Sequence, residues 1–190
     1  MRKLLLLLTV LSLASCKTAN KPITSPADRF MIEDLVELNS EEIKTRYPDA
    51  DIKVGIGIYE EGTEERPYCI LFPDTPNHLE ITWKDLERTE IYDIRFTEKG
   101  NWKSSTGIGI GTTLDQLNQL NSKPVSFYGF GWDYSGAVVW NDGKLENSGL
   151  FVFLEARNIP GEFYGDHIIK ASAEEIVALN LKVQTLIFKN

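Results

Sequence analysis

The stretch KVGIGIYEEGTEERPYCILF, from Lys53 to Phe72, decides the fold that the sequence predicts. Its two flanks, residues 53–60 and 66–72, alternate or run apolar over the length of a strand. Between them, Glu61-Gly62-Thr63-Glu64-Glu65 has the composition of a turn. Short apolar runs bounded by turn residues are typical of strands, so the stretch predicts an antiparallel hairpin.

The same pattern continues along the chain. Further strands are predicted at residues 79–84, 90–97, 125–129, 137–140, 150–155, 166–171 and 183–188. The connections as far as residue 97 are too short to hold a crossover helix, which favours a meander. Asn141-Asp142-Gly143 is a strong signal for a hairpin turn.

Three short helices interrupt the strands. Asn39 or Ser40 can cap a helix over residues 41–47. The next begins after Thr112 or Thr113, and a third follows a capping box that starts at Ser172. The sequence therefore predicts an α+β domain, a twisted and mainly antiparallel sheet with two or three short helices on one face.

Two glycine-rich runs need a separate interpretation, Gly55-Ile56-Gly57-Ile58 and Gly107-Ile108-Gly109-Ile110-Gly111. A glycine-rich turn before a helix can bind phosphate. Neither run, however, has a third glycine at the spacing of the G-x-G-x-x-G dinucleotide motif, and neither has the lysine of a P-loop. The alternation favours two strands whose isoleucines face the core.

The first residues have the order of a secretory signal peptide. Arg2 and Lys3 precede an apolar run over residues 4–13, which is about half of the ~20 residues that a membrane-spanning helix needs. The following Leu13-Ala14-Ser15-Cys16 resembles the lipobox of bacterial lipoproteins.

The lipobox resemblance implies that residues 1–15 are removed and that Cys16 is lipidated and anchors the chain to a membrane. Residues 16–28 then form the lipidated cysteine with a polar, proline-containing tether, and residues 29–190 form one globular domain. Lys17 stands where enterobacterial inner-membrane lipoproteins carry an aspartate retention signal, so the expected destination is the outer membrane.

Composition restricts the partners of the domain. The chain has a net charge of −8, and removal of Arg2 and Lys3 would bring it near −10, which argues against nucleic acid as a partner. Cys69 lies in an apolar strand and is expected to be a small buried side chain. His78 and His167 are not in a metal-binding spacing, and neither a metal nor a cofactor is expected.

The stretch GTTLDQLNQLNSKP, residues 111–124, resembles the helix-start motif of small outer-membrane assembly lipoproteins and β-lactamase-inhibitor-like domains. Five positions match, and Ser122 stands where those proteins usually have glycine. The five are Gly111, Thr113, Leu117, Leu120 and Pro124. This resemblance implies a protein-binding module of the cell envelope.

A second cluster, FYGFGWDYSG over residues 127–136, combines aromatic residues with glycines. Together with residues 111–120 it resembles an uncharacterised, Bacteroidetes-type group of bacterial lipoproteins, a resemblance that implies no activity. Trp132, Asp133 and Tyr134 form a possible binding loop for a sugar or another protein if the rings are exposed, while buried rings would be part of the core.

The leading functional hypothesis is a non-catalytic binding module in the cell envelope. A hydrolase of envelope or other glycans that uses paired carboxylates is the competing hypothesis, with Asp133 and Asp142 lying near aromatic residues in the sequence. A purely structural envelope protein is the third. No catalytic residue is assigned.

Overall fold

The computed structural model describes residues 28–189. The predicted signal peptide, Cys16 and nearly all of the predicted tether lie outside the described residues. No helix within residues 28–189 combines the length and the apolar character needed to cross a membrane.

The domain is α+β, as predicted. Six strands form one sheet in the order β1-β2-β3-β4-β8-β7, in which every neighbouring pair is antiparallel, and β5 and β6 form a separate two-stranded hairpin. The strands are β1 (Lys53–Tyr59), β2 (Glu64–Leu71), β3 (Leu79–Trp83), β4 (Ile91–Phe96), β5 (Ser126–Phe127), β6 (Val138–Val139), β7 (Leu150–Glu155) and β8 (Lys182–Lys189). The meander of β1 to β4 is confirmed.

The three predicted helices are also present, as α1 (Ser40–Arg46), α2 (Leu114–Asn121) and α3 (Ala173–Leu179). Each begins with a capping box, whose first residue is Asn39, Thr113 or Ser172. A capping box satisfies backbone N–H groups that the first helical turn leaves without partners, which explains why such short helices start at fixed residues.

One face of the sheet holds the core. In the strand register, Cys69 lies opposite Ile81, Ile81 opposite Ile94, and Ile94 opposite Phe188. The first three of these side chains are at most 1% exposed, and each helix adds a buried residue to the same core. The helical residues are Ile43, Leu117 and Leu179.

The two edges of the sheet differ. At the β7 edge, Leu154 N–H donates to Gly136 O at 2.8 Å, so the segment before β6 covers this strand. At the other edge, β1 pairs with β2 alone among the described residues.

The Gly55–Ile58 run corrects one prediction. Val54, Ile56 and Ile58 lie on the core face, opposite Cys69, Pro67 and Glu65. They are nevertheless 54%, 59% and 68% exposed. The expectation that these isoleucines are covered by the core was wrong, because the layer that buries Cys69 on β2 does not extend over β1.

Other predicted strands are absent or shorter. Residues 107–111 contain no strand, and Gly107 and Gly111 have φ near 88°, outside the range of a regular strand, although Ile108 is fully buried as expected. Residues 166–171 contain an isolated bridge between Ile168 and Tyr128 and no strand. Residues 125–129 and 137–140 keep only two residues each in regular strand, as β5 and β6.

Candidate functional site

The loop of residues 129–136 connects β5 to β6 and is held at its base by backbone hydrogen bonds. Gly136 N–H donates to Gly129 O at 3.0 Å, and Tyr128 N–H donates to Ala137 O at 2.9 Å. Gly136 has φ near 70°, and a Cβ there would lie 2.2 Å from Leu154 O, so glycine is required where the loop meets β7. The loop is thus fixed to the edge of the sheet.

A second segment, residues 163–169, runs beside this loop. Phe130 N–H donates to Phe163 O and Gly129 N–H to His167 O, both at 2.9 Å. A Cβ at Gly129 would lie 2.5 Å from Gly165 O, so the two backbones approach too closely for any larger residue. The triplet Phe-Tyr-Gly occurs in both segments, at residues 127–129 and 163–165, and in each the phenylalanine is buried.

Three aromatic side chains of these two segments are exposed. Trp132 is 64% exposed, Tyr134 57% and Tyr164 51%. The ring centroids of Tyr134 and Tyr128 are 5.2 Å apart, and a Cβ at Gly131 would lie 2.9 Å from Tyr164 Cδ1, so Tyr164 lies against the loop. We call Trp132, Tyr134 and Tyr164 the aromatic patch.

Trp132 differs from the other tryptophans of the chain. Trp83, Trp102 and Trp140 are 0%, 3% and 6% exposed and belong to the core. A large exposed ring costs free energy in water unless a partner covers it, and tryptophan and tyrosine are enriched at binding surfaces. The possibility that the rings of residues 132 and 134 are buried in the core does not hold.

Two carboxylates lie next to the patch. Asp133 is exposed between Trp132 and Tyr134, and Asp166 Oδ1 accepts a hydrogen bond from Tyr134 N–H at 3.4 Å. Asp142 follows β6 at the far end of the same hairpin from Asp133. The structure therefore places Asp166 beside the loop that carries Asp133, whereas Asp142 lies at the other end of the hairpin.

The segment after the patch borders a shallow cleft of about 490 Å³. It is lined by Glu162, Phe163 and residues 167–170, which include His167 and Lys170. Charged and apolar groups thus meet in a concave surface that continues from Tyr164 along the same segment.

Neither Cys69 nor the possible metal ligands among residues 28–189 form a second site. Cys69 is 1% exposed, and its burial raises the pKa of the thiol to about 11, so it is a core residue as expected. Within residues 28–189, no three histidine, cysteine or carboxylate side chains are arranged to hold a metal ion.

The sequence did not identify Asp166 as a member of this surface, because residues 166–171 were predicted to be a strand, and it did not identify Tyr164, which precedes that predicted strand. The repeated Phe-Tyr-Gly triplet was the available signal. In each triplet a buried phenylalanine is followed by a tyrosine whose ring lies outside the core and then by a glycine at a close contact between the two segments.

Comparison with known proteins gives information about the fold and none about the function. No protein-family model matches the sequence, and no curated protein matches it. The chain is similar in structure to the uncharacterized protein yfeY from Escherichia coli, with a TM-score of 0.51 and 14% sequence identity. The similarity covers 82% of this chain and 90% of that chain, so it extends over most of the α+β domain.

Proposed function

We propose that the chain is a lipid-anchored protein of the cell envelope, on the outer membrane, and that its domain binds a glycan or another protein through the aromatic patch without catalysis. The exposure of Trp132, against the burial of the other three tryptophans, is the observation that carries the binding role.

The anchor is supported by the sequence of residues 2–16, in which a basic start, an apolar run and Leu13-Ala14-Ser15-Cys16 follow in order. Acyl chains on Cys16 would each contribute about 0.8 kcal/mol per buried methylene, so two or more hold a protein on a membrane. Mass spectrometry of the N-terminal peptide from the envelope fraction tests the anchor. We expect Cys16 as the first residue with acyl groups attached, and an unmodified Cys16 would contradict it.

The binding role is supported by the chemistry of the patch. Each aromatic ring can bury roughly 150–250 Å² on a partner, and a flat ring can stack on a sugar or fill a pocket of a protein. Asp133 and Asp166 supply carboxylate oxygens that can accept hydrogen bonds from sugar hydroxyls or from backbone N–H groups. Backbone hydrogen bonds at the base of the loop, from Gly136 N–H to Gly129 O and from Tyr128 N–H to Ala137 O, reduce the backbone entropy that is lost on binding.

Trp132→Ala tests this role. We expect affinity for the partner to fall at least about tenfold, since central tryptophans of interfaces contribute 2 kcal/mol or more. Glycan arrays and pull-downs from solubilised envelopes would identify the ligand class. Phe151→Ala, which removes a ring 51% exposed on β7, is the matched control and should bind as the wild type does. If the two variants and the wild type retain the same partners, the aromatic patch has no binding role, and a purely structural protein is the better interpretation.

A glycan hydrolase is the second candidate, favoured by the position of Asp166 beside the loop that carries Asp133. Glycosidases use two carboxylates across the scissile bond, commonly beside aromatic rings. In this case Asp133→Asn and Asp166→Asn would each abolish release of sugar from an envelope glycan, while binding would persist. Absence of hydrolysis by the wild type on every glycan that it binds would eliminate this candidate.

A further inference from the structure

The exposed apolar row of β1 is a second surface, separate from the aromatic patch. We propose that β1 pairs with β1 of a second copy of this chain, antiparallel and centred on Ile56, so that two sheets join into one.

The uncovered row has the features of an interface. Val54, Ile56 and Ile58 are all more than half exposed on the face that elsewhere forms the core. Such a row on an edge strand is a template for pairing, and natural proteins usually protect it with lysine, proline or a bulge. Residues 54–58 contain none of these, and the one lysine of β1, Lys53, is its first residue and lies on the other face from Val54.

On the other face of β1, the absence of side chains at the glycines leaves room for two tyrosine rings. A Cβ at Gly55 would lie 2.6 Å from the ring of Tyr68, and a Cβ at Gly57 would lie 2.8 Å from the ring of Tyr59. Tyr59 also donates from its hydroxyl to Glu80 Oε1 at 2.9 Å, reaching across β2 to β3. The rings therefore cover the glycines and hold the edge strand in place, as in other sheets where aromatic rings cover edge glycines.

The sequence of β1 is complementary to itself. About Ile56 the neighbours are Gly55 and Gly57, and the next residues are Val54 and Ile58, both β-branched. A twofold axis through Ile56 would place Val54 of each copy opposite Ile58 of the other and each glycine opposite a glycine. An interface in which the same patch meets itself needs a surface that is complementary to itself, and this near-palindrome about Ile56 favours a second copy of the chain as the partner.

The charges agree with this pairing. Lys53 is the one charged residue of β1, and the same axis would place it opposite Tyr59 of the other copy, with Glu60 next in the chain. No like charges would face each other within the paired strands. Like charges directly opposite one another are destabilising in antiparallel sheets, so their absence favours pairing.

Cysteine cross-linking in the full chain tests the register. Ile56→Cys would lie opposite itself, within the roughly 7 Å between Cα atoms that a disulfide allows. Ile58→Cys, on the same strand and face, would lie about 14 Å from its own copy along the strands, because four residues rise ~3.4 Å each. After oxidation, we expect a disulfide dimer with Ile56→Cys and none with Ile58→Cys or with the wild type, which retains Cys16 and Cys69.

A mixture of Val54→Cys and Ile58→Cys chains completes this test, since these positions face each other across the axis and should form a mixed dimer. Equal dimer formation by Ile56→Cys and Ile58→Cys would overturn the register, and no dimer with any of them would overturn the pairing.

Sedimentation equilibrium of the full chain gives an independent measurement. Ile56→Lys would place two lysines face to face, so dimerisation should weaken at least about tenfold, or 1.4 kcal/mol. Val177→Lys, at a residue of α3 that is 76% exposed, is the matched control and should dimerise as the wild type does. A wild type that is monomeric at every concentration, or an Ile56→Lys chain that dimerises equally well, would refute the proposal.

Discussion

Asn121 is a buried amide at the end of α2, and replacing it with aspartate should make the stability of the domain depend on pH. The side chain is fully buried. Its Nδ2 donates to Trp140 O at 2.7 Å and to Lys123 O at 3.1 Å, and its Oδ1 accepts from Leu145 N–H at 3.1 Å. The amide therefore joins the helix to the turn that follows β6.

Asn121→Asp keeps the acceptor and replaces both donors with an oxygen. When protonated, the new carboxyl can donate to one of the two carbonyls, so one hydrogen bond is lost at a cost of about 0.5–1.5 kcal/mol, and Trp140 O keeps the bond from Gly143 N–H. When ionised, it donates to neither and is a buried charge beside two carbonyl oxygens. Burial of this kind raises a carboxyl pKa by about 3–5 units above ~3.9, which corresponds to roughly 4–7 kcal/mol.

The free energy of unfolding of Asn121→Asp should fall, relative to the wild type, as pH rises. Because the pKa of the folded state would lie above that of the unfolded state, the additional loss is absent below about pH 3.9 and grows as pH rises towards the folded pKa. Urea denaturation at pH 4 and pH 8 should therefore show a modest loss of unfolding free energy at pH 4 and a loss several kcal/mol larger at pH 8.

Asn118→Asp is the matched control, three residues earlier on the same helix. The Oδ1 of Asn118 accepts from Val125 N–H at 2.8 Å, and an aspartate would keep this bond without facing two carbonyls. We expect its stability to follow the wild type at both pH values. Equal losses for Asn121→Asp at pH 4 and pH 8 would refute the reasoning about the buried donors.

Two smaller predictions concern a helix end and a buried thiol. Ser122 ends α2 with φ near 59°, a conformation that costs a non-glycine residue about 1–2 kcal/mol, so Ser122→Gly should raise the free energy of unfolding by roughly 0.5–1 kcal/mol in urea titrations. An unchanged or lower value would contradict this. Because burial raises the pKa of Cys69 from its ordinary 9.0 to about 11, its thiolate population at pH 8 falls about a hundredfold. Peptide mapping after iodoacetamide treatment should find Cys69 labelled in urea and unlabelled in the native chain, and equal labelling would show that the thiol is accessible.

The sequence predicted most of the fold because its signals are local. The capping boxes at Asn39, Thr113 and Ser172 fix where the helices begin, and the alternation in residues 53–97 predicted the four strands of the meander. Such signals depend on neighbouring residues, so they can be read without knowing the tertiary structure.

The turn at Asn141-Asp142-Gly143 shows that a local signal can predict a turn without predicting how the chain pairs after it. Asn141 and Asp142 do adopt the positive φ of a tight turn, and Gly143 N–H donates to Trp140 O at 3.0 Å. The predicted turn is present, but the chain does not pair with β6 directly after it, because Lys144 N–H bonds to Asn121 O at 2.8 Å; the antiparallel bridge to the next strand lies further on, between Ala137 and Phe153. Only the packed structure shows that the end of α2 competes for the chain after the turn.

The exposure of side chains could not be predicted from the sequence either, because it depends on the packed structure. The alternation in β1 identified which side chains share a face, and the register confirms it, but the extent of the covering layer depends on helices distant in the sequence. The aromatic loop is the opposite case: the sequence identified Trp132, Asp133 and Tyr134 as a candidate, while only the structure shows that Trp132 and Tyr134 are exposed and adds Tyr164 beside them.

The two proposed surfaces lie at opposite edges of the sheet, and this makes their tests independent. The aromatic loop is attached to β7, whereas the apolar row belongs to β1, five strand spacings away. Pairing through β1 would give a twelve-stranded sheet with one aromatic patch at each end, roughly 50 Å apart at ~4.8 Å per strand. A ligand that presents two sites at this spacing would then bind the dimer with avidity and the monomer without it. Ile56→Lys should remove that avidity and leave the affinity for a single site unchanged, whereas Trp132→Ala should weaken single-site binding and leave the dimer intact.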